Sequence, residues 1–148
     1  MRFHYRNIKR KMMIPNADTT PSQSMMRQAL QAYADATNRG DADAIVALFA
    51  RDAVIEDPVG SPPKLGDEVG EWFRASVALR AHIRPVAPIR GSCSNEAALV
   101  FEVDYNFDGR RLRTRTLDIC VFNEEGLITS LRAYWGPEDV EDIGPAIP

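Results

Sequence analysis

The stretch that decides the fold is residues 97–136, AALVFEVDYNFDGRRLRTRTLDICVFNEEGLITSLRAYWG. Asp108-Gly109 stands between two runs of alternating side chains and is the sequence signature of a two-residue type I′ hairpin. Pairing Phe107 with Arg110 sets Val103 opposite Thr114, Phe101 opposite Thr116 and Leu99 opposite Asp118. The second turn, Asn123-Glu124-Glu125-Gly126, pairs Phe122 with Leu127 if it is a four-residue loop, which sets Asp118 opposite Leu131 and Thr114 opposite Trp135. Side chains alternate across a strand, so Leu99, Phe101, Val103, Asp118, Leu131, Ala133 and Trp135 share one face. Arg111, Arg113 and Arg115 point the other way, as a solvated outer row.

Upstream the period changes. Pro21 and Ser22 or Ser24 offer a helix start, and Met26, Leu30, Tyr33 and Thr37 recur at spacings of four and three until Gly40. Asp41 is a good N-cap for a shorter helix carrying Ile45, Val46, Leu48 and Phe49. Ala53 to Asp57 reads as a strand closed by Pro58 and a proline-rich loop. Asp67 starts a third helix with Val69, Trp72, Phe73 and Val77 inside, and further strands are expected at 81–91, 97–107, 110–122 and 127–136. Helices followed by a run of strands predict an α+β fold, with three helices packed on one curved sheet.

Composition narrows the function classes. The chain of 148 residues is 45% apolar and 26% charged, which suits one globular domain. No apolar run is long enough to span a bilayer as a helix. Residues 1–12 hold five basic side chains and no acid, leaving thirteen basic against 21 acidic residues beyond them, a net −8. An acidic body is a poor nucleic-acid surface. The basic start lacks the apolar core of a secretory signal, so residues 1–22 are read as a disordered extension, 23–137 as the domain and 138–148 as an acidic tail with Pro and Gly. Cys93 and Cys120 form no CxxC pair and suit a reducing, cytoplasmic setting. With His4 and His82 the only histidines, no metal site is expected.

Asp118 is the anomaly in the strand pattern. Asp is depleted in strands, and a carboxylate flanked by Leu99 and Leu131 is costly to ionise, so its pKa should rise and the neutral acid become a hydrogen-bond donor. An Asp satisfied by a backbone amide or an Arg is the plainer alternative. Asp57 ends a strand on its apolar side and suits a general base, although Asp-Pro also commonly starts a turn. Tyr33 lies in the apolar stripe of the first helix, where a tyrosine is commonly a core residue with its hydroxyl at the rim. A phenol and a carboxylic acid converging on one point make an oxyanion hole, and a second carboxylate can move a proton. That set suits proton abstraction alpha to a carbonyl.

At these residues the chain resembles the bacterial ketosteroid isomerases (steroid Δ5-isomerases) of the NTF2-like, SnoaL-like superfamily. The resemblance spans most of residues 25–136. It is carried by Tyr33 followed by Gly40-Asp41 and Ala44-Ile45-Val46, by Glu56-Asp57-Pro58-Val59-Gly60-Ser61-Pro62-Pro63, by Leu117-Asp118-Ile119 and by Ala133-Tyr134-Trp135. It implies a conical α+β fold around an apolar pocket, a homodimer, a small hydrophobic 3-oxo-steroid substrate, and no cofactor or metal; composition already argues against a nucleic-acid or membrane partner. Asp57 then resembles the base that carries a proton from C4 to C6, and Tyr33 and Asp118 the two donors to the dienolate oxygen. This family is itself the standard example of a carboxylic acid kept neutral by an apolar site. Phe101, Val103 and Trp135 match pocket-lining positions. Phe73, Val59, Leu99, Thr116 and Ala133 complete the expected substrate wall. Where some members carry supporting tyrosines, this chain has Phe49 and Arg74. The alternatives on the same fold are a SnoaL-like cyclase, dehydratase or epoxide hydrolase, for which His82 is the one histidine within the domain, and a non-catalytic module that binds a hydrophobic ligand.

Overall fold

Helix α1 (Gln23–Asn38) begins where Ser22 accepts the Met25 N–H through its side chain at 3.1 Å, satisfying one of the donors a helix start leaves open. The computed structural model describes residues 21–148, so most of the segment read as a disordered extension, and His4 with it, lies outside the described residues. Met26, Leu30, Ala34, Ala36 and Thr37 are the buried face of α1. The helix ends at Gly40, whose φ of +72° suits a residue without a Cβ. Asp41 caps the short α2 (Ala42–Val46) by accepting the Ala44 N–H, as its position in the sequence predicts. In α3 (Asp67–Ala78), Val69 and Phe73 are buried while Trp72 and Val77 pack partly buried against the core.

The strands are β1 (Phe49–Glu56), β2 (Lys64–Leu65), β3 (His82–Pro85), β4 (Glu96–Phe107), β5 (Arg110–Phe122), β6 (Ile128–Tyr134) and β7 (Val140–Pro145). They form one sheet in the order β2-β1-β6-β5-β4-β3, with β7 added on β5. β1 and β6 run parallel and the other pairs antiparallel, so the sheet is mixed. Asp108 and Gly109 both have positive φ, +48° and +75°, as a type I′ turn requires. The β4–β5 register is the one worked from the sequence, with Val103 opposite Thr114, Phe101 opposite Thr116 and Leu99 opposite Asp118.

The second hairpin differs. Phe122 pairs with Ile128 instead of Leu127, the ladder shifts between Val121 and Phe122, and Asp118 faces Ala133 instead of Leu131. Asn123 is the cause: its Oδ1 accepts the N–H groups of both Glu125 and Leu127, which holds Leu127 in the turn. Beyond the irregularity the slip is two residues. Because side chains alternate with period two, Leu131 and Ala133 stay on the inner face with Asp118.

Two other expectations are corrected. Residues 138–148, expected as an acidic tail beyond the domain, join the sheet: a 3₁₀ turn over Pro137–Asp139 leads into β7, which pairs with Arg110–Thr114. β6 reaches only as far as Leu117 on β5, so the first half of β5 has a free edge that β7 fills. Arg111 is not solvated either. The β5–β7 ladder shifts between Arg111 and Leu112, an irregularity of the kind that re-aims a side chain. Arg111 is buried, and its Nη1 donates to the Arg80 carbonyl at 2.8 Å and to Asn106 at 3.2 Å. Arg113 and Arg115 do form an outer row, paired with Asp104 and Glu141.

Met26 and Leu30 of α1, Ile45 of α2 and Phe73 of α3 meet Leu99, Phe101, Cys120, Leu131 and Ala133 of the sheet in one apolar core. No helix among the described residues is long and apolar enough to cross a membrane.

Candidate active site

The helices do not close completely on the inner face of the sheet. Between α1, α3 and strands β4 to β6 lies a cavity of about 450 Å³, within the size range of small-molecule sites. Its wall is mostly apolar, with Trp72, Phe73, Phe101, Val103, Leu112 and Ala133 among the lining residues, and Tyr33, Asp57 and Asp118 line it too.

Asp57 follows the last residue of β1. Its Oδ1 accepts the indole N–H of Trp135 at 2.6 Å, and its carbonyl accepts from Lys64 Nζ at 3.4 Å. Lys64 in turn sits 4.1 Å above the Trp72 ring. The loop after Asp57 is fastened to β6 by the Val59 N–H, which donates to the Ala133 carbonyl at 2.8 Å. Burial pushes the Asp57 carboxyl up, while the Trp135 bond and the Lys64 charge hold it partly down.

Asp118 lies mid-strand in β5, 2% exposed, between Leu99 and Ala133. Among the described residues its one side-chain partner is the Thr116 hydroxyl, which donates to Oδ1 at 3.2 Å. Burial first, and the charge of Asp57 second, push its pKa well above the ordinary aspartate value; the Thr116 bond opposes them. Among the described residues no backbone amide or arginine donates to the Asp118 carboxyl, the plainer alternative for a buried Asp.

Tyr33 packs edge-on against Phe49 and Phe73, with ring centroids 6.5 and 5.9 Å away. Its hydroxyl makes no hydrogen bond to another described residue. Phe49, one of the positions where some family members carry a supporting tyrosine, therefore supports the ring by packing and not by a hydrogen bond; Arg74, the other, is exposed. Burial, then the charges of Asp118 and Asp57, push the phenol well above its usual range, so it stays protonated. The cavity thus presents one carboxyl that two partners help to ionise, beside two groups that keep their protons.

Of the residues expected in the wall, Phe73, Phe101, Val103, Thr116, Ala133 and Trp135 line the cavity, whereas Leu99 and Val59 do not. Leu99 is completely covered by the core, and Val59 contributes its main chain to the loop anchor. Residues the sequence reading left out of the wall include Thr37, Ser76, Tyr105 and Leu112. Tyr105 shares the parity of Phe101 and Val103, so the strand alternation carried that signal. His82 is exposed and does not line the cavity. Among the described residues no group of His, Cys, Asp or Glu is placed to hold a metal ion.

This architecture is that of a SnoaL-like domain: the model of that family matches residues 30–131, and the chain belongs to it, with the NTF2-like fold. Among its relatives is a steroid Δ-isomerase of Nocardioides simplex, 32% identical over 115 residues, an alignment covering 78% of this chain and 93% of that one. The epoxide hydrolase LasB of Streptomyces lasalocidi is 30% identical over 125 residues, covering 80% of this chain but only 44% of the longer enzyme. A solved structure of SalBIII, an epoxide hydrolase/cyclase-like enzyme of pyran ring formation in the polyether salinomycin, superposes with a TM-score of 0.75. It is 27% identical, and the match covers 79% of this chain and 95% of that one.

Proposed function

We propose that the protein is a steroid Δ-isomerase that moves the double bond of a 3-oxo-Δ5-steroid into conjugation. The observation that carries this reading is the grouping of Tyr33, Asp57 and Asp118 around one apolar cavity, with Asp57 hydrogen-bonded to Trp135 and Asp118 buried. The isomerase relative, matched over 93% of its own length, supports it.

In the proposed reaction the Asp57 carboxylate removes a proton from C4. Electrons shift toward the C3 oxygen, giving a dienolate that accepts hydrogen bonds from the Tyr33 phenol and the neutral Asp118 acid. The proton held on Asp57 is then delivered to C6, and the double bond settles between C4 and C5. Nothing is consumed except the position of one proton, so no cofactor is needed. Trp135 holds Asp57 in place and favours its ionised form, while burial keeps the base from becoming too weak.

The test is the ultraviolet absorbance of the conjugated enone formed from 5-androstene-3,17-dione. Asp57→Asn should reduce kcat by about 10²–10⁴-fold, the usual worth of a positioned general base. Equal rates for wild type and variant, or no enone from wild type, would sink the isomerase reading.

A second reading rests on the similarity to LasB and SalBIII. The same two acids could open an epoxide, Asp118 giving its proton to the epoxide oxygen while Asp57 takes one from the attacking hydroxyl or water. Conversion of an epoxide to a diol or cyclic ether, without enone formation from the steroid, would favour it. Tight binding of a phenolic steroid with no turnover of either substrate class would instead favour a binding module.

A further inference from the structure

We infer that the Tyr105–Thr114 hydroxyl pair is a second polar subsite, which recognises an oxygen function at the end of the substrate remote from the reacting carbonyl. This rests on the isomerase reading above. Half of the six hydroxyl groups lining the cavity are already engaged elsewhere. Thr37 donates to the Tyr33 carbonyl at 2.8 Å and Ser76 to the Trp72 carbonyl at 3.0 Å, each within its own helix, and Thr116 donates to Asp118. Apart from Tyr33, that leaves Tyr105 and Thr114, whose oxygens are 3.0 Å apart.

Two hydroxyls bonded to each other use one proton between them. Whichever donates, the other keeps its own O–H proton, and no further described residue accepts it. Thr114 is 2% exposed, so a spare donor there is costly unless something in the cavity accepts it.

Position identifies what would. Thr114 and Asp118 lie on the same face of β5, four residues and therefore about 13 Å apart along the strand. A fused four-ring skeleton held by its C3 oxygen at Asp118 brings its C17 substituent to this part of the wall. Beyond the pair, Leu79 and Phe107 line the cavity and are 39% and 59% exposed, which marks the mouth. The pair is thus the last polar group a long apolar substrate meets, and its spare proton suits a ketone or hydroxyl oxygen.

The experiment compares kcat/KM for 5-androstene-3,17-dione and for 5-androsten-3-one, which lacks the C17 oxygen. Wild type should prefer the dione, and Thr114→Val or Tyr105→Phe should each reduce that preference about 3- to 10-fold, the worth of one neutral hydrogen bond. Because the two hydroxyls act as a unit, the double variant should lose little more than either single one. A purely structural role would lower both rates together and leave the ratio intact. No preference in wild type, or a ratio unmoved by both single variants, overturns the subsite. If wild type forms no enone from either ketone, the isomerase reading fails on its own. The subsite is then judged by calorimetric affinity for oestrone against 17-deoxyoestrone, where equal affinities, or a ratio unmoved by both variants, overturn it.

Discussion

Replacing Asp118 with asparagine is expected to make the protein more stable while making it a poorer catalyst, with the gain growing as pH rises. The carboxyl is 2% exposed and has a single side-chain hydrogen bond among the described residues. Burial and the neighbouring Asp57 keep it protonated at pH values where the same group in an unfolded chain has ionised. Over that interval the native state holds one more proton than the unfolded state, so stability falls as pH rises, by up to about 1.4 kcal/mol per pH unit. The fall begins near pH 4, about the ordinary aspartate value, and ends where the native carboxyl finally loses its proton. Asparagine has nearly the same shape, its carbonyl oxygen can still accept from Thr116, and it does not titrate. Subtracting wild-type from variant stability should therefore give a curve that is flat below about pH 4 and climbs above it, with Asp57 contributing to both proteins. Urea unfolding followed by circular dichroism at intervals from about pH 3 to about pH 8 measures it. On the isomerase reading enone formation should drop at the same time by about 10²–10³-fold, as when one oxyanion donor is weakened. A stability difference independent of pH, or a variant that loses ground as pH rises, would mean that Asp118 is ionised in the native protein. Its role as a donor would then be untenable.

Trp135→Phe removes the indole donor that favours ionised Asp57, so the acid limb of the kcat/KM–pH profile should move to higher pH. Lys64→Met, which keeps an apolar stem over Trp72, should move the limb in the same direction but less far, since the Lys64 charge is the smaller influence. A limb that stays in place in both variants would separate that pKa from Asp57. Arg111→Met should cost about 1–3 kcal/mol in urea unfolding, because it leaves the Arg80 carbonyl without its donor.

The site was legible because its acids break a pattern. Asp118 stands where the alternation calls for an apolar residue, and the Asp108-Gly109 turn fixes which residues face it. The second hairpin departs by two residues from the expected register because a side chain, Asn123, decides it, and composition does not reveal how many N–H groups an asparagine will hold. The error was harmless to the site, since an even slip keeps every residue on its face. Leu99 has the right parity for the wall, yet helix packing covers it completely; parity reports a face, not what lies over it. Residues 138–148 look like a tail because Gly144, Pro145 and the acids hide a short strand. The need for that strand arises only from the unpaired edge of β5, which is a property of the assembled sheet.

That final strand gives the cavity two independent supports. The half of β5 that carries Asp118 is stitched to β6, with Asp118 beside Ala133, and the half nearer the mouth is stitched to β7, with Thr114 beside Val140. Changes of length or composition after Pro137 can therefore re-tailor the mouth of the cavity while the seam beneath Asp118 stays sewn. The two ends of the cavity hang from different threads of one sheet.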